Sequence, residues 1–145
     1  MGNRIDIAQL EPKAFEAMLS LENYLTNSKL AKTHSHLIKI RASQINSCAF
    51  CINMHSIEAL KDGETAQRIF LLNAWKETEL FTDEEKVILA ITEEITLISQ
   101  KGLTDETYKN AEVFFDGNQI AQIIMSVVTI NAWNRFVVST KKTVK

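Results

Sequence analysis

Cys48, Cys51 and His55 have the types and the spacing for thiol chemistry. On a helix they occupy positions i, i+3 and i+7, which at about 100° per residue point to roughly 0°, −60° and −20° and so share one face. Both sulfurs then fall at the helix start, where unpaired backbone N–H groups and the helix dipole favour an anion. A reactive dithiol needs that setting, because the thiolate is the nucleophile and a thiol of pKa about 8.5 is only a few per cent ionised at pH 7. A pKa of about 7 puts roughly half of the thiol in the reactive form, and a much lower one weakens its nucleophilicity. His55, one turn after Cys51, can take or give a proton near neutral pH. A redox dithiol is the reading that uses all three residues. Two others stay open: a chance pair of small apolar residues, and a zinc site in which His34 or His36 completes Cys48, Cys51 and His55.

The rest of the chain must supply the scaffold. Its 145 residues fit one domain, residues 1–145, and 46% hydrophobic with 23% charged residues excludes a disordered or fibrous chain. Sixteen basic and eighteen acidic residues leave a net charge of −2, a poor basis for nucleic-acid binding. No apolar run reaches the ~18 residues of a membrane span, so no membrane partner is expected. The opening MGNRIDIAQLEP lacks the apolar core of a signal peptide, and the expected location is cytoplasmic. Thiols are mostly reduced there, and a disulfide tends to be catalytic. Two cysteines three residues apart cannot staple distant parts of a fold.

With one Pro and four Gly, an all-β fold lacks its turns, and the pattern reads helix after helix. Pro12 suits a first turn, followed by Phe15, Met18, Leu19, Leu21 and Leu25 at helical spacing. A second helix is expected from about Lys29 to Asn46, with basic residues and no acidic ones. Ser47 reads as the N-cap of the cysteine helix, and Asp62-Gly63 as its end. Glu64 to Trp75 reads as a short fourth helix. Thr82-Asp-Glu-Glu85 is a capping-box pattern ahead of Val87, Ile88, Ile91, Ile95 and Ile98. Thr104 opens a sixth element, and Asp116 caps an apolar last helix to about Val138. The expectation is an all-α fold of six to seven helices. A thioredoxin fold is disfavoured because no β–α–β pattern flanks the motif.

The run Leu37-Ile-Lys-Ile-Arg-Ala-Ser-Gln-Ile-Asn-Ser-Cys-Ala-Phe-Cys-Ile-Asn-Met-His55 resembles the signature of the alkyl hydroperoxidase D-like (AhpD-like) family of the carboxymuconolactone decarboxylase superfamily. Gly63, Ile69, Trp75, the stretch Phe81–Thr96 and the ending Ile130-Asn-Ala-Trp-Asn-Arg-Phe136 extend the resemblance over roughly Lys13 to Ser139. It implies a helical fold and thiol-dependent reduction of a hydroperoxide substrate by an antioxidant enzyme. It also implies a dithiol reductant or partner redox protein, and a homo-oligomer, trimer or hexamer. Cys51 would attack the peroxide, Cys48 would resolve the sulfenic acid as a disulfide, and His55 would be the acid/base. No metal, flavin or haem is required by this chemistry. Local chemistry is divided on the order, since Cys51 is nearer His55 and Cys48 nearer the helix start. The alternatives are a carboxymuconolactone decarboxylase-like lyase, which has no need of the cysteine pair, a zinc-stabilised binding module, and a redox sensor without rapid turnover.

The family's proton relay includes a Glu twelve residues before the first cysteine, and here that position is His36. An imidazole can pass a proton but cannot stabilise a charged His55, so a different pH dependence is expected. Ser47 replaces a common Gly. Glu58, at roughly −80° on the cysteine helix, could supply the missing carboxylate but reads first as a solvated side chain. His34 reads as a surface residue, and Trp75 and Trp133 as core or subunit contacts. Asn131 and Asn134 are expected to bond between helices or subunits. Lys39 and Arg41 are expected to solvate their helix, Glu84, Glu85, Glu93 and Glu94 to be caps or exposed charges, and Lys141–Lys145 to be a solvated tail.

Overall fold

The structure, a computed structural model, describes residues 4–145; Met1–Asn3, the start of the stretch read above as lacking a leader, lie outside the described residues. Ten helical segments and no strand occur among the described residues. The centre is α3 (Lys32–Ile45), whose Leu37, Ile38, Ile40 and Ala42 are fully buried. Ile38 and Ala42 pack with α6 (Asp83–Thr96), α8 (Asp105–Phe114) and α9 (Gly117–Ser139) through Ile88, Ile91, Ala111, Ile123 and Val127. Leu37 and Ile40 pack with Ala59 of α4 (Ala49–Lys61) and with Leu72, Trp75 and Leu89. Apolar positions two residues apart thus serve opposite sides, so α3 is a central helix despite its three charged residues. Lys39 and Arg41 do more than solvate it: Lys39 pairs with Glu22 at 3.5 Å and Arg41 with Glu93 at 3.0 Å. Glu22 belongs to α2 (Pro12–Thr26), which starts at Pro12 as expected and packs on α9.

The anticipated fourth helix is two pieces, α5 (Ala66–Phe70) and a 3₁₀ turn over Leu72–Glu77. The 3₁₀ winding brings residues three apart into line, and it buries Leu72 and Trp75 together. Two four-residue helices were not anticipated: α1 (Ile7–Leu10), capped by Asp6, and α7 (Ile98–Lys101), which ends at Gly102 with φ +65°. The capping boxes at Thr82/Glu85 and Asp116/Gln119 both form. Glu85 is more than a cap: it is buried, and its carboxylate takes two hydrogen bonds from Arg68 at 2.7 and 3.0 Å. Glu94 accepts from Thr104 and Thr107, and Glu93 accepts from the Trp75 indole at 2.8 Å. Glu85 is the cap expected, and Glu85, Glu93 and Glu94 also tie elements together where exposed charges were the other expectation. His34 is half-buried, edge-on to Phe115 and 3.7 Å from Glu84, so it is no surface residue.

Asn131 and Asn134 bond between helices within the chain. Asn46 donates to both carbonyl oxygens at 2.9 Å, Asn134 donates to Ser43 at 3.0 Å, and Asn131 donates to Thr96 at 2.9 Å. This polar knot locks the C-terminal end of α3 to α6 and α9, directly before the cysteine helix begins.

Candidate active site

The chain passes from α3 into α4 through three residues, Asn46, Ser47 and Cys48. Ser47 takes a left-handed backbone conformation, φ +53°, and Cys48 is the N-cap, one residue later than expected. Cys48 Sγ accepts the Cys51 N–H at 3.3 Å, and the Cys48 N–H donates to Ser43 O at 3.0 Å. The Gly common at position 47 in the family therefore has a backbone reason, and Ser stands there under strain. Replacing Ser47 by Gly removes about 1 kcal/mol of left-handed strain but adds unfolded-state entropy. The expected result is a net stabilisation of about 0.5 kcal/mol, read as a higher midpoint in urea unfolding of the oxidised protein.

Cys48 and Cys51 are joined as a disulfide, with Cα atoms 5.3 Å apart. Both are buried against Val137, Phe50 and Phe136. Cys51 lines a cleft of about 320 Å³ between α2, α4 and the end of α9; Cys48 is not in its wall. His55 lines the same cleft and is buried. Its Nδ1 lies 3.0 Å from Glu58 Oε2. A carboxylate can only accept, so Nδ1 carries the proton and Nε2 is left with the lone pair. Burial pushes the His55 pKa below its ordinary value; the Glu58 hydrogen bond opposes this, Lys39 adds to it, and the charges of Glu58 and Glu22 oppose it. Burial wins, and at neutral pH the side chain is a neutral imidazole suited to accept a proton.

Glu58 is thus not free in solvent, although its side chain is half-exposed: it orients His55. His36 is not brought to the cysteines. Its Nε2 is 2.7 Å from Asp62 Oδ2, and it lines a separate cleft with Arg68, Glu64 and Glu85. The physical reason is the nearby carboxylate at the C-cap of α4, which engages the ring and draws Asp62 below its ordinary pKa. His34 and His36 therefore do not join the cysteines as ligands. Among the described residues no group of three or more His, Cys, Asp or Glu side chains is placed to hold a metal ion.

Several wall residues went unread as such in the sequence. Glu22 and Phe15 come from α2, and Lys142, from the stretch read as a solvated tail, sits 4.3 Å from the Phe50 ring centroid. One signal was present: Phe15, Met18, Glu22 and Leu25 form one helical stripe, so Glu22 is a charge set among apolar positions. Trp133, expected in the core or a subunit contact, stacks edge-on with Phe15 at 5.8 Å and Phe136 at 5.4 Å and forms part of the wall.

The carboxymuconolactone decarboxylase family profile matches residues 12–94. The uncharacterised protein YdfG of Bacillus subtilis (strain 168) is 41% identical over 135 residues, 93% of this chain and 92% of that one. A solved structure from Agrobacterium tumefaciens, of unknown function and provisionally described as the antioxidant defence protein AhpD, matches with TM-score 0.96 and 36% identity, covering 99% of each chain. The structure of an uncharacterised peroxidase-related protein from Silicibacter sp. TM1040 has the same fold, with TM-score 0.80 and 20% identity over 92% of this chain and 71% of that one.

Proposed function

This chain belongs to the carboxymuconolactone decarboxylase family, and from that premise we propose that it is an AhpD-like enzyme that reduces hydroperoxides with the Cys48–Cys51 pair. The observation that carries the reading is a cysteine pair at a helix start with Cys51 in the wall of the cleft that also holds His55. Cys51 is the attacking thiol in this reading. His55 Nε2 takes the Cys51 proton, the thiolate attacks the outer peroxide oxygen, and the O–O bond breaks. The proton passes from His55 to the departing alkoxide, leaving an alcohol and a sulfenic acid on Cys51. Cys48 then forms the disulfide and water leaves. An external dithiol, small or borne by a redox protein, returns two electrons and two protons.

Glu58, in this reading, supplies the carboxylate partner of His55, and His36 instead ties α3 to the end of α4. The chemistry uses no metal or organic cofactor and suits a reducing compartment such as the cytoplasm. Among the described residues no helix is long and apolar enough to cross a membrane. Met54, Ile57 and Leu60 leave an apolar face on α4, which supports assembly as a homo-oligomer, trimer or hexamer. The test is consumption of an alkyl hydroperoxide with a dithiol donor. Alcohol should form in step with donor oxidation at a rate proportional to protein. A rate no higher than that of protein-free buffer rejects the reading.

A further inference from the structure

The wall around Cys51 has a chemistry of its own. Phe15, Trp133 and Phe136 form a continuous aromatic surface, with ring centroids 5.4 to 6.0 Å apart. Phe50, next to Cys51 in the chain, adds a fourth ring, and the Lys142 ammonium stands over it at 4.3 Å. The cleft's other charges are engaged: Glu22 with Lys39 at 3.5 Å, and Glu58 with His55 at 3.0 Å. Lys142, which is exposed, has no carboxylate partner among the described residues. A cavity of ~150 Å³ suffices for benzene. The cleft, about 320 Å³, therefore has room for one aromatic ring with a short extension.

Resting on the hydroperoxide reading above, we propose that the cleft selects an amphipathic hydroperoxide: an aryl or compact branched group held by the four rings, with a carboxylate directed to Lys142. The rings give affinity for an apolar body without regard to its charge. Lys142 is the element that prefers an anion, and by holding the carboxylate it restrains the substrate inside the cleft that Cys51 lines.

The probes are cumene hydroperoxide and its para-carboxylate, which differ only in the charged group. The wild-type protein should show kcat/KM about fivefold higher for the carboxylate. Lys142→Met, which keeps the apolar stem, should bring the ratio to about one. A wild-type ratio at or below one overturns the proposal, as does a ratio unchanged by Lys142→Met. The second result would mean that Lys142 does not set the preference for the anion. Binding of the unreactive 4-isopropylbenzoate and of cumene, followed by Trp133 fluorescence, separates this inference from the peroxidase reading. Lys142-dependent preference for the carboxylate without turnover rejects the enzyme activity and keeps the site. Turnover without that preference rejects the site and keeps the activity.

Discussion

Replacing Cys51 by Ser is expected to lower hydroperoxide reduction by about three orders of magnitude or more, because a hydroxyl is not a competent nucleophile at neutral pH. Replacing Cys48 by Ser has a different outcome. Cys51 still converts one equivalent of hydroperoxide to alcohol, but no neighbour is left to resolve it. The product is Cys51 sulfenic acid, seen by mass spectrometry as one added oxygen and trapped by dimedone. The asymmetry follows from the cleft, which Cys51 lines and Cys48 does not. Cys48 is occupied as the cap of α4, its sulfur accepting the Cys51 N–H. If the sulfenic acid appears instead on Cys48 in the Cys51→Ser protein, the assignment of the two thiols is reversed.

His55→Ala is expected to cost about 10²- to 10⁴-fold in kcat/KM, the usual range for removing a general acid–base. The pH profile carries more information. His55 works as a base in its neutral form, so activity falls as pH falls through its folded pKa. Burial holds that value below the ordinary 6.5, and the Glu58 hydrogen bond works against burial. Glu58→Gln keeps an acceptor for Nδ1 but removes the charge that favours the imidazolium. The pKa should drop further, and the acid limb should move to lower pH in the variant. The difference between the wild-type and variant profiles isolates the effect of Glu58 on the imidazole. Identical profiles would show that Glu58 does not act on the imidazole.

The helical architecture was legible where local signals are strong. Thr82/Glu85 and Asp116/Gln119 carry their capping boxes in the sequence, and Asp62-Gly63 ends α4 with Gly63 at φ +95°. The cysteine helix and its shared face were legible for the same reason, since an i, i+3, i+7 pattern needs no tertiary partner. The N-cap falls one residue after the expected Ser47 because Ser is a common cap and Cys an uncommon one, whereas Ser47 takes a strained left-handed turn that no local signal announces. Glu58 was visible three residues from His55, but sequence alone cannot weigh an i, i+3 hydrogen bond against solvation. His36 occupies the position of the family's Glu, yet Asp62, twenty-six residues away, takes its ring. Glu22, Phe15 and Lys142 reach the cleft only when α2 and the C-terminal stretch fold against α4. The stripe of Phe15, Met18, Glu22 and Leu25 marks an inward face of α2 but does not say which element it meets.

The central claim is that two thiols, one of them in the wall of the cleft, reduce one hydroperoxide and become joined. The most direct test adds one equivalent of alkyl hydroperoxide to the fully reduced protein under argon with no external donor. The account predicts one equivalent of alcohol, the loss of two titratable thiols and of two hydrogens in mass, and a cross-linked peptide holding Cys48 and Cys51. Alcohol formation with both thiols still free, or thiols that survive the peroxide untouched, would contradict it.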